Sequence, residues 1–182
     1  MGGMRATLLI LMGLAVPAAA GVPETVDPVL IPAYKLTRPD LATAGQPSPA
    51  ALGRLSEMGF RTVVNLRTDA EGAAAEGPVV EGQGLRYVSI PVTVDRFSLA
   101  DALAVQKVLD DPQAAPVLLH CASSNRVGAV WAVLEARKGK SVEDALAAGR
   151  EAGLHSPVME AAVRRVLGAP EAPPPAPSPP KP

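Results

Sequence analysis

The order of apolar and polar residues along 41–168 predicts strands that alternate with helices. Short apolar or β-branched runs, which are typical of buried strands, occupy residues 41–46, 60–66, 85–92 and 117–119. A helical pattern follows each of these runs, and such alternation produces parallel strands covered by helices. We therefore expect an α/β fold, with one central, mainly parallel sheet of about four or five strands flanked by helices.

Capping residues mark where the predicted helices begin. Ser48 precedes Pro49, a pair typical of a helix start, and this helix is expected to reach Gly59. Ser98 and Asp101 have the spacing of a capping box. The helix that they open is expected to run to about residue 110. In this helix, Leu99, Leu103 and Val108 or their neighbours are expected to be buried. Two further helices are expected to begin after Ser141 and Ser156.

The first twenty residues resemble a signal peptide. Arg5 is followed by an apolar stretch over 6–16 and by three small residues at 18–20, the pattern of a cleavage site. The apolar stretch is short for a membrane span, so a retained anchor is the alternative. The mature protein is expected to begin near Gly21 and to be periplasmic or secreted, with no membrane association after cleavage.

Proline-rich stretches flank the predicted domain, which spans 41–168. Prolines at 23, 28, 32 and 39 predict an extended N-terminal arm over 21–40 rather than a helix or strand. The tail over 169–182 is so rich in proline that we expect it to be extended and disordered. The simplest interpretation is a solvated tail without a specific partner. The alternative is that the tail binds an unknown partner as a polyproline helix.

Composition excludes several classes of function. The chain has 182 residues and a formal net charge of −1, which gives no indication of nucleic-acid binding. A single cysteine allows neither an intrachain disulfide nor a cysteine-based metal site. The two histidines, His120 and His155, lack the spacing of metal ligands, and we expect neither a metal nor a cofactor.

The most informative stretch is residues 116–130, where a buried strand leads through a polar loop into a helix. Cys121 lies at the strand end, and the helix begins near Arg126, so amide groups and the helix dipole favour a thiolate and equally a bound oxyanion. Arg126 adds a two-pronged donor for phosphate-like groups. The candidate phosphate-binding residues are Ala122, Ser123, Ser124, Asn125 and Arg126. The pattern indicates a cysteine-phosphatase loop.

A buried, inert cysteine is the alternative interpretation of Cys121. It explains neither Arg126 nor the adjacent His120, and the polar loop is poor core material. The other predicted strand ends support a site, because the carboxyl ends of parallel strands meet at one edge. These ends carry Gln46, Asn65, Arg67, Thr93, Asp95 and Cys121.

Four motifs in order resemble a known family. They lie at residues 45–48, 59–67, 90–92 and 120–128, within a match of about 35–167. The chain resembles bacterial beta-lactamase-hydrolase-like or dual-specificity-like phosphatases of the protein tyrosine phosphatase superfamily. The resemblance implies the cysteine-phosphatase fold and hydrolysis of phosphomonoesters, on proteins or small molecules, through a phosphocysteine. It assigns Cys121 as nucleophile and Arg126 as phosphate ligand, with His120 tuning the thiolate.

Three departures from the superfamily pattern keep other functions open. Four residues rather than five separate Cys121 from Arg126, and rhodanese-type sulfurtransferases share that shorter loop. Ser124 stands where glycine would ease an unusual backbone angle. Val127 replaces a common Ser or Thr. A sulfurtransferase with a persulfide on Cys121, and a non-catalytic oxyanion-binding pseudophosphatase, are therefore the alternatives.

A phosphatase also needs a proton donor for the leaving group. Asp95 is the candidate because it lies just beyond a predicted strand end. Asp101 is the second candidate, although capping its own helix is its simpler role. We expect Arg67 to pair with Glu71 and to order the neighbouring loop.

Overall fold

The computed structural model describes residues 21–170. The predicted signal peptide and residues 171–182 of the predicted tail lie outside the described residues. Within 21–170, no helix is long and apolar enough to cross a membrane.

A five-stranded sheet forms the centre of the domain. Its strands lie in the order β1-β2-β5-β3-β4, and only β1 runs antiparallel, along the edge of β2. The prediction of a mainly parallel sheet of four or five strands is confirmed. The strands are β1 (Lys35–Arg38), β2 (Leu41–Ala44), β3 (Thr62–Asn65), β4 (Arg86–Ser89) and β5 (Val117–His120).

Six α-helices surround the sheet in the described part of the chain. The predicted caps are confirmed, since the hydroxyl groups of Ser48, Ser141 and Ser156 each accept a backbone N–H in the first turn. A 3₁₀ turn, Asp69–Glu71, precedes the second helix. The helices are α1 (Pro49–Leu52), α2 (Ala73–Glu81), α3 (Leu99–Leu109), α4 (Asn125–Arg137), α5 (Val142–Glu151) and α6 (Pro157–Val166).

Strand register aligns the carboxyl ends of the three central strands. Ala44 of β2 and Asn65 of β3 both lie beside His120 of β5. The loops that follow these strands therefore leave the sheet at one edge, which brings Cys121 beside the segments after β2 and β3.

Each face of the sheet packs against its own hydrophobic cluster. Leu119 points to the larger cluster, which includes residues of α3, α4, α5 and α6. Leu118 points to the other side, where Ile31, Leu55 and Val80 close the second cluster. This alternation is the period of two expected of a strand, and it leaves β5 buried on both faces.

Two predicted helices differ from the structure. The helix expected to reach Gly59 ends at Leu52, because the chain turns at Gly53 and continues in turns to residue 59. In α3, Leu99 and Leu103 were expected to be buried but are 40% and 38% exposed. Val108 is buried as expected, and the rest of the buried stripe is Ala102 and Val105, which recur at three-residue spacing with it and face α4.

The N-terminal arm is more ordered than its prolines suggest. The prediction that residues 21–40 form no strand is wrong over Lys35–Arg38, which pairs with β2 as β1. Val22 and Ile31 are buried in the second hydrophobic cluster, at 6% and 0% exposure. These apolar side chains hold the arm against the domain. The prolines of the arm therefore do not prevent it from packing.

Candidate active site at the Cys121 loop

The loop between β5 and α4 is fixed to the end of β2. The backbone N–H of Cys121 donates to the Ala44 carbonyl at 3.3 Å, and that of Gln46 donates to the Ala122 carbonyl at 3.1 Å. Ser123 forms a bridge with Gly45. The Cys121 loop therefore keeps its shape through the neighbouring strand as well as through its own helix.

Ser124 has the unusual backbone angle that the sequence indicated. Its φ is 66° and its ψ is −8°, in the left-handed region that favours glycine. A non-glycine residue there costs about 1–2 kcal/mol. The buried Ser124 hydroxyl donates to the Ala152 carbonyl at 3.0 Å, and this bond helps to hold the conformation.

The segment between α5 and α6 supports the loop from behind. Asn125, the first residue of α4, accepts the backbone N–H groups of His155 and Ser156 through Oδ1, both at 3.0 Å. Gly153 has a φ of 115°, and a Cβ at this position would overlap the Ser124 side chain. His155 contributes to this contact through its backbone N–H, which fastens the segment between α5 and α6 to the start of α4.

Arg126 is held in a fixed orientation by Glu71. The carboxylate accepts from Nη1 at 2.8 Å and from Nη2 at 2.6 Å. Nη1 also faces the carbonyl oxygens of Leu66 and Val92, at 3.3 and 3.1 Å. In residues 21–170, Nε donates no hydrogen bond to an oxygen, so the Nε edge of the guanidinium remains for an oxyanion.

Charge reinforces this arrangement. The hydrogen bond that Arg126 donates to Glu71 raises the pKa of Arg126, burial opposes the rise, and the adjacent Cys121 also contributes to it. Because Glu71 pairs with Arg126, the expected pairing of Arg67 with Glu71 is wrong. Arg67 instead donates to Gln46 Oε1 at 2.7 Å and lies 3.4 Å from Glu76, because Asn65 turns the backbone by accepting the Arg67 N–H.

The Glu71–Arg126 pair predicts a pH-dependent contribution to stability. The hydrogen bond from Arg126 lowers the Glu71 pKa to about 2 from 4.5, against a smaller effect of burial, with Thr68 also lowering it. A lowered folded-state pKa means that the ionised carboxylate stabilises the folded protein above 4.5 and loses that effect as the pH falls toward 2. Urea denaturation should show Glu71→Gln less stable than wild type at about pH 7, with the difference shrinking at about pH 3.

Glu57→Gln is the matched control for that measurement. Glu57 pairs with Arg54 at 2.8 Å on an exposed surface, where such pairs contribute about 0–1 kcal/mol. A Glu71→Gln deficit that stays constant between about pH 3 and pH 7 would contradict the pairing.

His120 lies on the opposite side of the sheet from Cys121. Its ring is fully buried, with Nε2 2.7 Å from Glu76 Oε1 and Nδ1 3.4 Å from the Cys121 carbonyl oxygen. Cys121 belongs to the larger cluster with Leu119. Any effect of His120 on the thiol therefore passes through the loop backbone and through charge, rather than through direct contact of the side chains.

The two proton-donor candidates have different surroundings. Asp101 accepts the Ser98 N–H at 2.8 Å, so its capping role is confirmed. Asp95 lies in the loop after β4 with a 77% exposed side chain beside Arg96. The neighbouring Thr93 side chain lowers the Asp95 pKa, which favours the ionised form. An exposed carboxylate that favours the ionised form is a poor proton donor in this conformation.

The sulfur of Cys121 is covered in this structure. Cys121 has 0% exposure, the burial expected of an inert cysteine, yet it lies beside a charged arginine at a helix N-terminus. Contact of any ligand with this sulfur would therefore require a movement of the residues that cover it. The residues described contain no group of three His, Cys, Asp or Glu side chains that could hold a metal ion.

Comparison with known protein sequences places the chain in a phosphatase-like family. Residues 33–138 match the sequence family described as the phosphatase-like domain of beta-lactamase hydrolase-like protein. The chain belongs to this family. A beta-lactamase hydrolase-like protein from Xylella fastidiosa is 31% identical over 109 residues, which are 57% of this chain and 25% of the relative. One from Agrobacterium fabrum is 31% identical over 105 residues, 55% of this chain and 24% of the relative.

Solved structures agree with the fold. The crystal structure of P. aeruginosa TpbA is 25% identical and has a TM-score of 0.61, covering 84% of this chain and 94% of TpbA. This phosphatase-like domain thus has the α/β architecture of protein-tyrosine-phosphatase-like folds. Its chain spans only about a quarter of the length of the curated relatives that it matches.

Proposed function

We propose that the protein is an exported, cysteine-dependent phosphatase of the protein-tyrosine or dual-specificity type, hydrolysing phosphomonoesters through a phosphocysteine. The observation that carries this proposal is the Arg126 guanidinium, which Glu71 holds by one edge beside Cys121 at the start of α4. A relative supports the substrate class, because TpbA has been crystallised as a variant in complex with phosphotyrosine.

The proposed reaction has two steps. The Cys121 thiolate attacks phosphorus and the bond to the leaving oxygen breaks, while the Arg126 Nε edge and the loop amides of 122–125 stabilise the equatorial oxygens. Asp95, after closure of its loop, protonates the leaving group. Water then attacks the phosphocysteine, Asp95 accepts its proton, and the S–P bond breaks to release inorganic phosphate and the thiolate.

The role of Asp95 predicts a dependence on the leaving group. An alkoxide needs a proton to depart, whereas an aryl oxide with a low pKa barely does, and general acids contribute about 10²–10⁴-fold. Asp95→Asn should therefore lower kcat for an alkyl phosphate by at least about 10²-fold and for a nitrophenyl phosphate only a few-fold. Asp69→Asn, a change at another exposed carboxylate near the site, is the control. Equal losses on both ester classes would remove Asp95 from the reaction.

Loop length favours a second candidate, a rhodanese-type sulfurtransferase. Only four residues separate Cys121 from Arg126, and a persulfide on Cys121 needs no proton donor. The test compares the reduced protein on aryl phosphate, alkyl phosphate, and thiosulfate with cyanide. Hydrolysis of the phosphates supports our proposal, thiocyanate formation supports the sulfurtransferase, and neither product supports a non-catalytic oxyanion-binding protein, which the strained Ser124 and Val127 would suit.

Export is the other part of the proposal. Arg5, the apolar stretch over 6–16 and the small residues at 18–20 favour cleavage near residue 20. Mass spectrometry of the protein purified from its native host should find a mature N-terminus near Gly21. A product that retains Met1 or the apolar stretch would contradict export by this route.

A further inference from the structure

A second charged cluster lies across the sheet from Cys121, with Glu76 at its centre. The carboxylate of Glu76 is 2.7 Å from His120 Nε2, 2.8 Å from Gln46 Nε2 and 3.4 Å from Arg67 Nη1. Glu76 is 4% exposed, and within the described residues it forms no hydrogen bond or ion pair with Cys121 or Arg126. The reaction proposed above assigns it no role.

Burial of a carboxylate has to be compensated. Removing an ionised carboxylate from water costs several kcal/mol unless charged and hydrogen-bonding partners replace the solvent. Burial raises the pKa of Glu76, but the hydrogen bond and charge of His120, with Gln46 and Arg67, outweigh it, so the Glu76 pKa is lower than usual. The carboxylate is therefore ionised at neutral pH and places a negative charge beside the His120 ring.

The partners of Glu76 are the residues that end or follow the three central strands. His120 ends β5, Gln46 follows β2 and Arg67 follows β3. Two of them also contact the Cys121 loop, because the Gln46 backbone N–H donates to the Ala122 carbonyl and His120 Nδ1 faces the Cys121 carbonyl. One side chain on α2 thus reaches the loop through two separate routes.

We propose that Glu76 is a positioning residue that acts on the Cys121 thiol through His120; this inference rests on the proposed function. Both ring nitrogens of His120 face oxygen acceptors, the Glu76 carboxylate at Nε2 and the Cys121 carbonyl at Nδ1, an arrangement that suits a ring donating from both nitrogens. Nδ1–H then donates to the Cys121 carbonyl, and a positive charge lies one residue from the sulfur. That charge favours the thiolate, which is the nucleophilic form.

Other charged groups around the ring set the sign of each substitution. Arg67, which follows β3, lies 3.4 Å from the Glu76 carboxylate and competes with the His120 ring for it. The Tyr87 hydroxyl on β4 reaches the cluster through Asn65 at 2.9 Å. On the opposite face, Arg126 and Glu71 neutralise each other at 2.6 Å. Loss of Glu76 should disfavour the thiolate, and loss of Arg67 should favour it.

The experiment measures the pH dependence of alkylation by iodoacetamide, for which Cys121 is the only thiol in the chain. Glu76→Gln should slow alkylation at about pH 6 by about tenfold and move the profile to higher pH. Arg67→Gln should move the profile to lower pH. Glu81→Gln, an exposed change on the same helix, should leave it unchanged. Because the Cys121 sulfur is buried, limited access lowers the alkylation rate at every pH by the same factor, and the pH at which the rate rises is unaffected.

The two directions separate this inference from a structural role. If the cluster only holds the fold, the pH profile of alkylation should stay unchanged, or alkylation should become slower, in both Glu76→Gln and Arg67→Gln. That result would overturn the inference. Because Arg67→Gln makes its own signed prediction, a Glu76→Gln protein that fails to fold leaves the test intact. Alkylation also needs no turnover, so opposite shifts without phosphate hydrolysis would support the inference while rejecting the proposed function, and hydrolysis without the shifts would do the reverse.

Discussion

Replacement of Cys121 by serine is expected to reduce hydrolysis of a small aryl phosphate by at least about 10⁴-fold. An un-ionised hydroxyl at neutral pH is a far weaker nucleophile than a thiolate, and within residues 21–170 no general base hydrogen-bonds to the side chain at position 121. Cys121 lies against Arg126 on the α4 side of the sheet, while His120 points to the other side. The measurement is the initial rate of nitrophenol release by reduced protein.

Arg126→Lys is the companion variant, with an expected loss of about 10²–10³-fold. A lysine supplies a point charge that cannot reproduce both the two contacts with Glu71 and a separate edge for phosphate. Arg137→Lys, in the last turn of the same helix, is the matched control and should keep wild-type activity. A folded Cys121→Ser protein that retains more than a tenth of the wild-type rate would reject the phosphocysteine.

The same variants distinguish the competing functions. A sulfurtransferase would lose thiocyanate formation with Cys121→Ser and be indifferent to Asp95→Asn, because a persulfide transfer has no alcohol to protonate. A non-catalytic protein would show no turnover, and Arg126→Lys would still weaken its binding of phosphate or vanadate. The proposal is rejected if reduced wild-type protein hydrolyses neither ester class above background.

Local signals account for what the sequence could predict of the fold. The caps at Ser48, Ser98, Ser141 and Ser156 and the four parallel strands depend on residues within a few positions of one another. The left-handed angle of Ser124 was indicated by the family resemblance, since Ser124 stands at a loop position where glycine would ease an unusual backbone angle. By contrast, β1 has no alternating pattern, and it pairs with β2 in an arm whose apolar residues Val22 and Ile31 pack against the domain.

Non-local pairs are the part of the site that the sequence could not predict. Glu71 meets Arg126 across 55 positions and Glu76 meets His120 across 44. Nothing in their immediate neighbours distinguishes these carboxylates from solvated ones, and Glu76 lies in a weak helical stretch among Ala, Gly and Pro. Their partners depend on how α2 and the 3₁₀ turn fold back over the strand ends, which is a property of the assembled sheet.

Substitution of Gly128 in α4 by alanine should destabilise the domain more than the same change at Gly149, the glycine of α5. Gly128 lies in the first turn of α4, where α5 and the following segment approach its backbone. An added Cβ would overlap the Leu154 backbone N and lie 2.5 Å from the Gly149 carbonyl oxygen. Neither backbone atom can rotate away as a side chain does, so the helices must separate. Overpacking of this kind costs about 3 kcal/mol.

Thermal unfolding should therefore show Gly128→Ala melting about 6–12 °C below wild type. Gly53→Ala is the control, because its Cβ would come no closer than 3.7 Å to any atom outside its own neighbours and its φ is −71°. Separation of α4 from α5 would also loosen the contacts of Ser124 and Asn125 with the segment over 152–156. Phosphatase activity of Gly128→Ala should accordingly fall at temperatures where the variant remains folded. A Gly128→Ala protein as stable and as active as Gly53→Ala would show that the close approach of these helices is not required by the site.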